Sequence, residues 1–182
     1  FNVQADANVI VTMSSTSADI SPVFEAQRSR FIFVENLINA SSNTEVTSRP
    51  ETLPSDGGAS SKYITKKVTL SEGFDASDLR VIISKNLPQG SSVQVFYRVQ
   101  NDLDNSNFED QPFVSMTQVT ESVTSQSMLE YYDCEYKAEN INYTSEDITY
   151  DTFRYFQIKI VLFTTNPANA PTVKNLRAIA LS

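Results

Sequence analysis

The stretch FRYFQIKIVLFTTNPANAPTVKNLRAIALS, residues 153–182, decides the fold class of this chain. Beginning at Phe156, every second residue is apolar as far as Leu162, with the polar residues Gln157 and Lys159 between them. This alternation has the two-residue period of a half-buried strand. Near its end the run IVLF is apolar at every position, as expected of a strand that passes beneath another layer. An Asn/Pro loop and a closing strand follow, so the stretch predicts a hairpin in a β core.

The same two-residue period recurs earlier in the chain. The segment VQVFYRVQ, residues 93–100, has the clearest antiparallel pattern, and other strand-like runs lie at residues 64–70, 79–83, 113–118 and 128–136. Strands at this spacing, without long helical periods between them, predict an all-β fold, namely a mainly antiparallel β-sandwich of jelly-roll type. The residues predicted to face inward are Ile64, Val68, Val81, Val93, Val95, Tyr97, Phe156, Ile158, Ile160 and Leu162.

Three zones are predicted: an N-terminal β arm at residues 1–39, a polar linker at residues 40–61 and the main β-sandwich at residues 62–182. The arm holds strand-like runs at residues 9–13 and 31–34, which are expected to add to the sandwich. The linker is broken by two prolines and a Gly-Gly pair, and an uninterrupted polar segment of this length is unusual inside a compact domain. Internal mobility is the preferred interpretation, and ordering against a partner is the alternative.

A flexible linker of this length has a reach of roughly 25 Å, at about 5–6 Å × √n. The arm could therefore close on its own sandwich or add its strands to a neighbouring copy, because exposed strand edges are templates for pairing. The resulting hypothesis is that the arm joins its own domain in an isolated chain and contacts another subunit in an assembly.

Composition and charge argue against several kinds of partner. The formal net charge is −8 and the 14 Lys and Arg residues are scattered, so no nucleic-acid partner is expected. No apolar stretch approaches the roughly 18 residues of a membrane span, and no membrane partner is expected. The single cysteine, Cys134, excludes an intramolecular disulfide and is predicted to be a buried apolar side chain. The chain begins with Phe and without a signal-peptide pattern, so it is expected to be cut from a longer polypeptide or to have lost its initiator segment.

The chain contains no histidine. Ser-His-Asp and Cys-His catalytic pairs and histidine-ligated metals are therefore excluded, and Gly-rich phosphate loops are also missing. A glycosidase needs only two carboxylates about 5–9.5 Å apart, and that alternative stays open although the 22 Asp and Glu residues nominate no pair. We predict a non-enzymatic protein without cofactor and without catalytic, cofactor-binding or metal-ligating residues.

Two local patterns contain residue types that are common in binding sites. The loop at residues 101–110 is rich in oxygen ligands, and read as a calcium loop from Asp102 it has Asp104 at the third position. The sixth position is Asn107 instead of Gly and the twelfth is Phe113 instead of Glu, so a solvated loop is predicted. Tyrosines also cluster in the last third of the chain, where cross-strand packing is favoured over a platform for sugars or protein partners. They are Tyr131, Tyr132, Tyr136, Tyr143, Tyr150 and Tyr155.

Several of these stretches, taken in order, resemble virion structural proteins of contractile-tailed bacteriophages, especially those that infect marine cyanobacteria. The stretches are ISPVFEAQR (residues 20–28), FVENLIN (33–39), SKYITKKV (61–68), VFYRV (95–99), FED (108–110), FQIKIVL (156–162) and KNLRAIA (174–180). The resemblance covers most of the chain outside residues 40–61.

The resemblance implies a tail, neck or baseplate component that works by assembly, with other virion proteins and further copies of itself as partners. It supplies no active-site residues. The expected location is the virion, assembled in the host cytoplasm, and a single cysteine suits that reducing compartment. The alternative is a carbohydrate-binding module that attaches to a host glycan, because aromatic side chains on β-sandwiches can form sugar platforms.

Overall fold

The computed structural model describes residues 12–16, 38–55, 57–166 and 168–182. Two compact units are distinguished, Phe1–Val34 and Glu35–Ser182, and every described helix and strand belongs to the second. The strands predicted at residues 9–13 and 31–34 lie outside the described residues, apart from Thr12 and Met13. The hypothesis that the arm contacts another subunit therefore stays a prediction.

Strands dominate the described part of the chain. One short helix, α1 (Thr44–Ser48), begins after Asn43, whose side chain accepts a hydrogen bond from the Glu45 amide at 2.9 Å. A single 3-10 turn covers Phe108–Asp110. The strands are β1 (Lys62–Ile64), β2 (Val68–Thr69), β3 (Asp78–Asn86), β4 (Ser91–Gln100), β5 (Val114–Ser115), β6 (Thr117–Gln118), β7 (Tyr132–Ala138), β8 (Tyr143–Ser145), β9 (Ile148–Tyr150), β10 (Tyr155–Thr164) and β11 (Thr172–Leu181).

The strands form two main sheets, and all of their pairings are antiparallel. Sheet I has the order β1-β10-β4-β5, with β2 also paired to β10, and sheet II has the order β11-β3-β7-β6. The strands β8 and β9 form a separate hairpin. The longest pairing joins β10 to β4, from Tyr155 opposite Gln100 to Thr164 opposite Ser91. The predicted all-β, mainly antiparallel sandwich is confirmed.

The main core lies between the two sheets. It contains alternate residues of β3, β4, β7 and β10, as the two-residue period requires. Of the ten residues predicted to face inward, seven are buried and Leu162 packs against the core from a half-buried position. The prediction was wrong for Ile64 and Val68, which are each 39% exposed. They lie on β1 and β2, which are only three and two residues long, and too few neighbours surround them. Cys134 is buried as predicted.

A second, smaller core covers the opposite face of sheet I. Val161 and Phe163 of β10 pack there with Phe96 and Phe113, and Val46 and Ala59 complete the cluster. The prediction that the end of β10 lies beneath another layer is confirmed. That layer is the covering segment, which we define as residues 38–55 and 57–61. It holds α1, and its main-chain carbonyl groups accept hydrogen bonds from the amides of Leu162 and Thr164 on β10 and from the Phe113 amide.

The covering segment packs against sheet I, whereas a mobile linker was expected at these residues. The packing depends on close approach of the main chain and needs few apolar side chains. A Cβ atom added to Gly58 would lie 1.9 Å from the main-chain oxygen of Glu45, and one added to Gly57 would lie 2.2 Å from the carboxyl group of Glu51. Because neither glycine has a side chain, the main chain at Gly57 and Gly58 can lie directly against the residues Glu45 and Glu51.

Candidate interaction surface

An apolar groove opens between β1 and β11, the strands at matching edges of sheets I and II. Its volume is about 420 Å³. Its apolar lining comes from Tyr63, Ile160, Leu162, Val173 and Leu176. Tyr63 is 59% exposed, so a large aromatic side chain is left in water on one wall. Exposed apolar surface gathered at one place is typical of a binding site.

The shape of β11 creates part of this groove. Its register against β3 shifts between Lys174 and Arg177, and Asn175 in the bulge has φ of 56°. Asparagine tolerates this left-handed conformation better than most residues, and its side-chain amide donates to the Ser84 hydroxyl at 3.3 Å. Among the described residues β11 pairs with β3 alone, and its side chains are largely exposed. A ten-residue edge strand of this kind offers backbone donors and acceptors to a further strand.

The rim of the groove is basic. Lys62 and Lys174 belong to its lining, and none of the nine described lining residues is acidic. The Lys174 ammonium lies 3.7 Å from the centre of the Tyr131 ring, a cation–π contact that holds it near the rim. Lys62 donates to the main-chain oxygen of Gly57 at 2.8 Å and forms an ion pair with Glu51 at 3.7 Å. The exposed Lys174 thus supplies positive charge at the groove, on a chain whose net charge is −8.

Beneath the covering segment, sheet I carries a cluster of charged side chains that the sequence pattern did not reveal. Lys159 is fully buried, although the alternation in β10 places it on the polar face. Its ammonium lies 3.1 Å from Oε2 of Glu51, donates to the main-chain oxygen of the same residue and lies 4.2 Å from the centre of the Phe113 ring. Burial lowers the pKa of Lys159, and the contacts with Glu51 oppose that shift.

Arg98 belongs to the same cluster and is 4% exposed. Its Nε donates to the Gln157 amide oxygen at 2.7 Å, and its guanidinium forms an ion pair with Glu109. The guanidinium also lies 4.8 Å from the ring centres of Phe108 and Phe113. Gln157, which the alternation also places on a polar face, is buried beside it. These contacts are internal, and they hold the covering segment and the 3-10 turn against the sheet.

The predicted solvated loop at residues 101–110 is built around a buried carboxylate instead. Asp104 is 8% exposed. One of its oxygens accepts from the Ser106 amide and the Ser145 hydroxyl, and the other accepts from Tyr143 and Gln111, at distances of 2.9–3.1 Å. Burial acts to raise the pKa of Asp104, but the hydrogen bonds outweigh it and hold the pKa below its usual range. The carboxylate joins the loop to the β8–β9 hairpin.

Replacing Asp104 with Asn is expected to cost about 1–3 kcal/mol of unfolding free energy for each donor left facing the new NH₂ group. The pH dependence should change as well. Because the folded-state pKa is below 3.8, wild-type Asp104 contributes stability above pH 3.8 and loses it as the pH falls through the folded-state value. Urea denaturation across the acid range measures both effects. Asp110→Asn, at an exposed position of the same loop, is the control, and equal behaviour of the two variants would contradict this role.

The six clustered tyrosines take part in separate contacts. Tyr136 is buried in the main core. Tyr143 and Tyr150 stack on each other at 5.3 Å between ring centres, and Tyr155 donates to Asp102 at 2.7 Å. Tyr131 lies against Lys174, and the hydroxyl of Tyr132 donates to Glu130 at 3.4 Å. They do not form one continuous platform, and the large exposed ring of Tyr63 lies elsewhere, in the groove.

No group of three or more Asp, Glu, Cys or His side chains in the described part of the chain is arranged to hold a metal ion. No described helix has the length and apolarity needed to cross a membrane. Comparison with known proteins finds no matching family model, no matching curated protein and no matching solved structure.

Proposed function

We propose that this chain is a non-enzymatic structural module that works through protein–protein contacts. We further propose that it belongs to the tail, neck or baseplate region of a phage virion that is assembled in the host cytoplasm, as the sequence resemblance implies. The observation that carries the assembly role is the groove between β1 and β11, because it combines an exposed edge strand with an apolar lining. Addition of a strand to an exposed edge is a common means of joining protein subunits.

The occupant that best fits the groove is an extended segment of another virion protein, with apolar side chains and acidic ones. Its backbone would pair with β11, and alternate apolar side chains would cover Tyr63 and Leu176. Lys174 would attract acidic side chains, and none of the nine described lining residues is a carboxylate that would repel them. A second copy of this chain is an alternative occupant that the experiment below distinguishes.

The experiment is co-expression of the chain with the proteins encoded beside its gene, followed by size-exclusion chromatography with light scattering. We expect a stoichiometric complex that is lost when Tyr63 is replaced with Asp, because the substitution places a charge on the apolar wall. Ile148→Asp is the matched control, since Ile148 is 55% exposed against 59% for Tyr63 and lies outside the groove. This control is expected to leave the complex intact.

Four results would contradict the proposal. The first is equal behaviour of the two variants, and the second is a dimer of the chain alone that depends on Tyr63, which would make a second copy the occupant. Selective binding on a glycan array that a tyrosine substitution abolishes would support the carbohydrate-binding alternative instead. Hydrolysis of host polysaccharide that disappears on removal of one carboxylate would support a glycosidase.

A further inference from the structure

A lysine points into the main core at one end of the sandwich. Lys85 is on β3 and shares the parity of the inward-facing residues Leu79, Val81 and Ile83. Its side chain is fully buried. An ammonium group is costly to bury unless a carboxylate or several hydrogen bonds compensate for its lost hydration. Within the described part of the chain, no carboxylate oxygen lies within 4.0 Å of its nitrogen.

The partners of Lys85 are neutral, and one of its three donors is poorly used. The nitrogen donates to the Tyr136 hydroxyl and to the Gln118 amide oxygen, both at 2.9 Å. The third contact, with the Ser122 hydroxyl, is 3.5 Å long and lies at the limit of a hydrogen bond. Burial lowers the pKa of Lys85, and the neighbouring Cys134 acts in the opposite direction. The positive charge is therefore stabilised by the dipoles of neutral groups and by the Tyr136 ring, whose centre lies 5.3 Å from the nitrogen.

A pocket adjoins this lysine. Its volume is about 320 Å³, near the lower end of the range of small-molecule pockets. Lys85 belongs to its lining together with the apolar side chains of Leu87, Val93 and Val123. Hydroxyl groups come from Ser91, Ser92, Ser122 and Thr124, and none of the eleven described lining residues is acidic. The pocket thus combines one cation, several hydroxyl groups and apolar walls.

We propose that this pocket binds a small carboxylate with a short apolar body, whose carboxylate pairs with the Lys85 ammonium. One cation compensates one negative charge, so a monoanion fits better than a doubly charged phosphate. The apolar walls favour a ligand with a few carbon atoms over chloride. The carboxylate would take the donor that now reaches Ser122. This site is separate from the groove between β1 and β11, and the proposal does not depend on the assembly role.

The test uses the full chain and sodium propionate as the probe, with sodium chloride at equal ionic strength as the reference. Thermal unfolding is followed for the wild type, for Lys85→Met and for Lys66→Met, a control at an exposed lysine. We expect a saturable rise in the unfolding midpoint of the wild type and of the control. In Lys85→Met the apparent Kd should rise about tenfold or more, the loss expected when one charge-assisted hydrogen bond is removed.

A second variant keeps the proposal testable if Lys85→Met does not fold. Ser122→Asp places a carboxylate of the chain beside the ammonium, and the folded variant should lose the response to propionate. Methyl NMR spectra locate the site, because the propionate-dependent shifts of the wild type should fall on Leu87, Val93 and Val123. The proposal is overturned if no saturable response occurs, if Lys85→Met or Ser122→Asp responds like the wild type, or if the shifts fall elsewhere.

Discussion

Replacing Glu51 with Gln is expected to lower the free energy of unfolding by about 3–5 kcal/mol, the usual cost of removing one partner of a buried ion pair. The amide oxygen of Gln can still accept the hydrogen bond that the Ala59 amide donates to Glu51 at 2.7 Å. The substitution therefore removes mainly the charge. Lys159, which is fully buried, would be left without a carboxylate beneath the covering segment. Chemical denaturation measures the loss, with Glu72→Gln at an exposed position as the control.

The same variant should change the alkaline behaviour of the protein. Burial already holds the folded-state pKa of Lys159 below 10.5, and removal of Glu51 takes away the contact that opposes this shift. Between the folded-state pKa and 10.5 the unfolded chain binds more protons, so the free energy of unfolding rises with pH in that window. We expect a steeper rise in Glu51→Gln than in the wild type. Adding Lys159→Met should restore most of the stability, and failure of that rescue would contradict the ion-pair explanation.

Replacing Ile158 with Ala is expected to cost about 2–5 kcal/mol, through lost burial and the cavity that remains between the sheets. Ile158 is 1% exposed and lies on β10, the central partner of β1, β2 and β4. Ile179→Ala is the matched control, because it makes the same deletion on β11 at a position that is 44% exposed. Denaturant unfolding should show a lower midpoint for Ile158→Ala with an unchanged slope. Equal losses in the two variants would show that Ile158 does not form part of the core.

The strands of the sandwich could be predicted because apolar and polar residues alternate along them, as half-buried strands require. β4 and β10 each show the two-residue period, and the apolar end of β10 also predicted a covering layer. The identity of that layer could not be predicted, because the covering segment packs through glycines and main-chain hydrogen bonds that hydropathy does not register. Ile64 and Val68 fit the period as well as the buried residues do, but periodicity does not indicate that their strands are short and lie at an edge.

The polar contacts were the hardest to predict, because their partners are distant in sequence. The sequence around Asp104 does not match a calcium loop, and the burial of this carboxylate depends on Tyr143 and Ser145, which lie about forty residues further along the chain. The alternation places Lys159 and Gln157 on a polar face, but both are buried. Lys159 contacts Glu51, and Gln157 accepts a hydrogen bond from Arg98. Lys85 did leave a signal, since a lysine follows Leu79, Val81 and Ile83 at the next inward position of β3. The groove forms where the edge strands β1 and β11 lie side by side, and the sequence alone does not predict which strands lie at the edges of the sheets.

The sequence separation of 108 between Glu51 and Lys159 imposes an order on synthesis. At about 5–20 residues per second, the covering segment leaves the ribosome roughly 5–20 s before the strand that it packs against. Throughout that interval Lys159 is not available to the Glu51 carboxylate, and the segment has no apolar sheet to lie on. A covering layer rich in apolar side chains would be exposed to aggregation during this delay. The polar, linker-like composition of the covering segment therefore keeps this part of the nascent chain soluble until β10 has been synthesised.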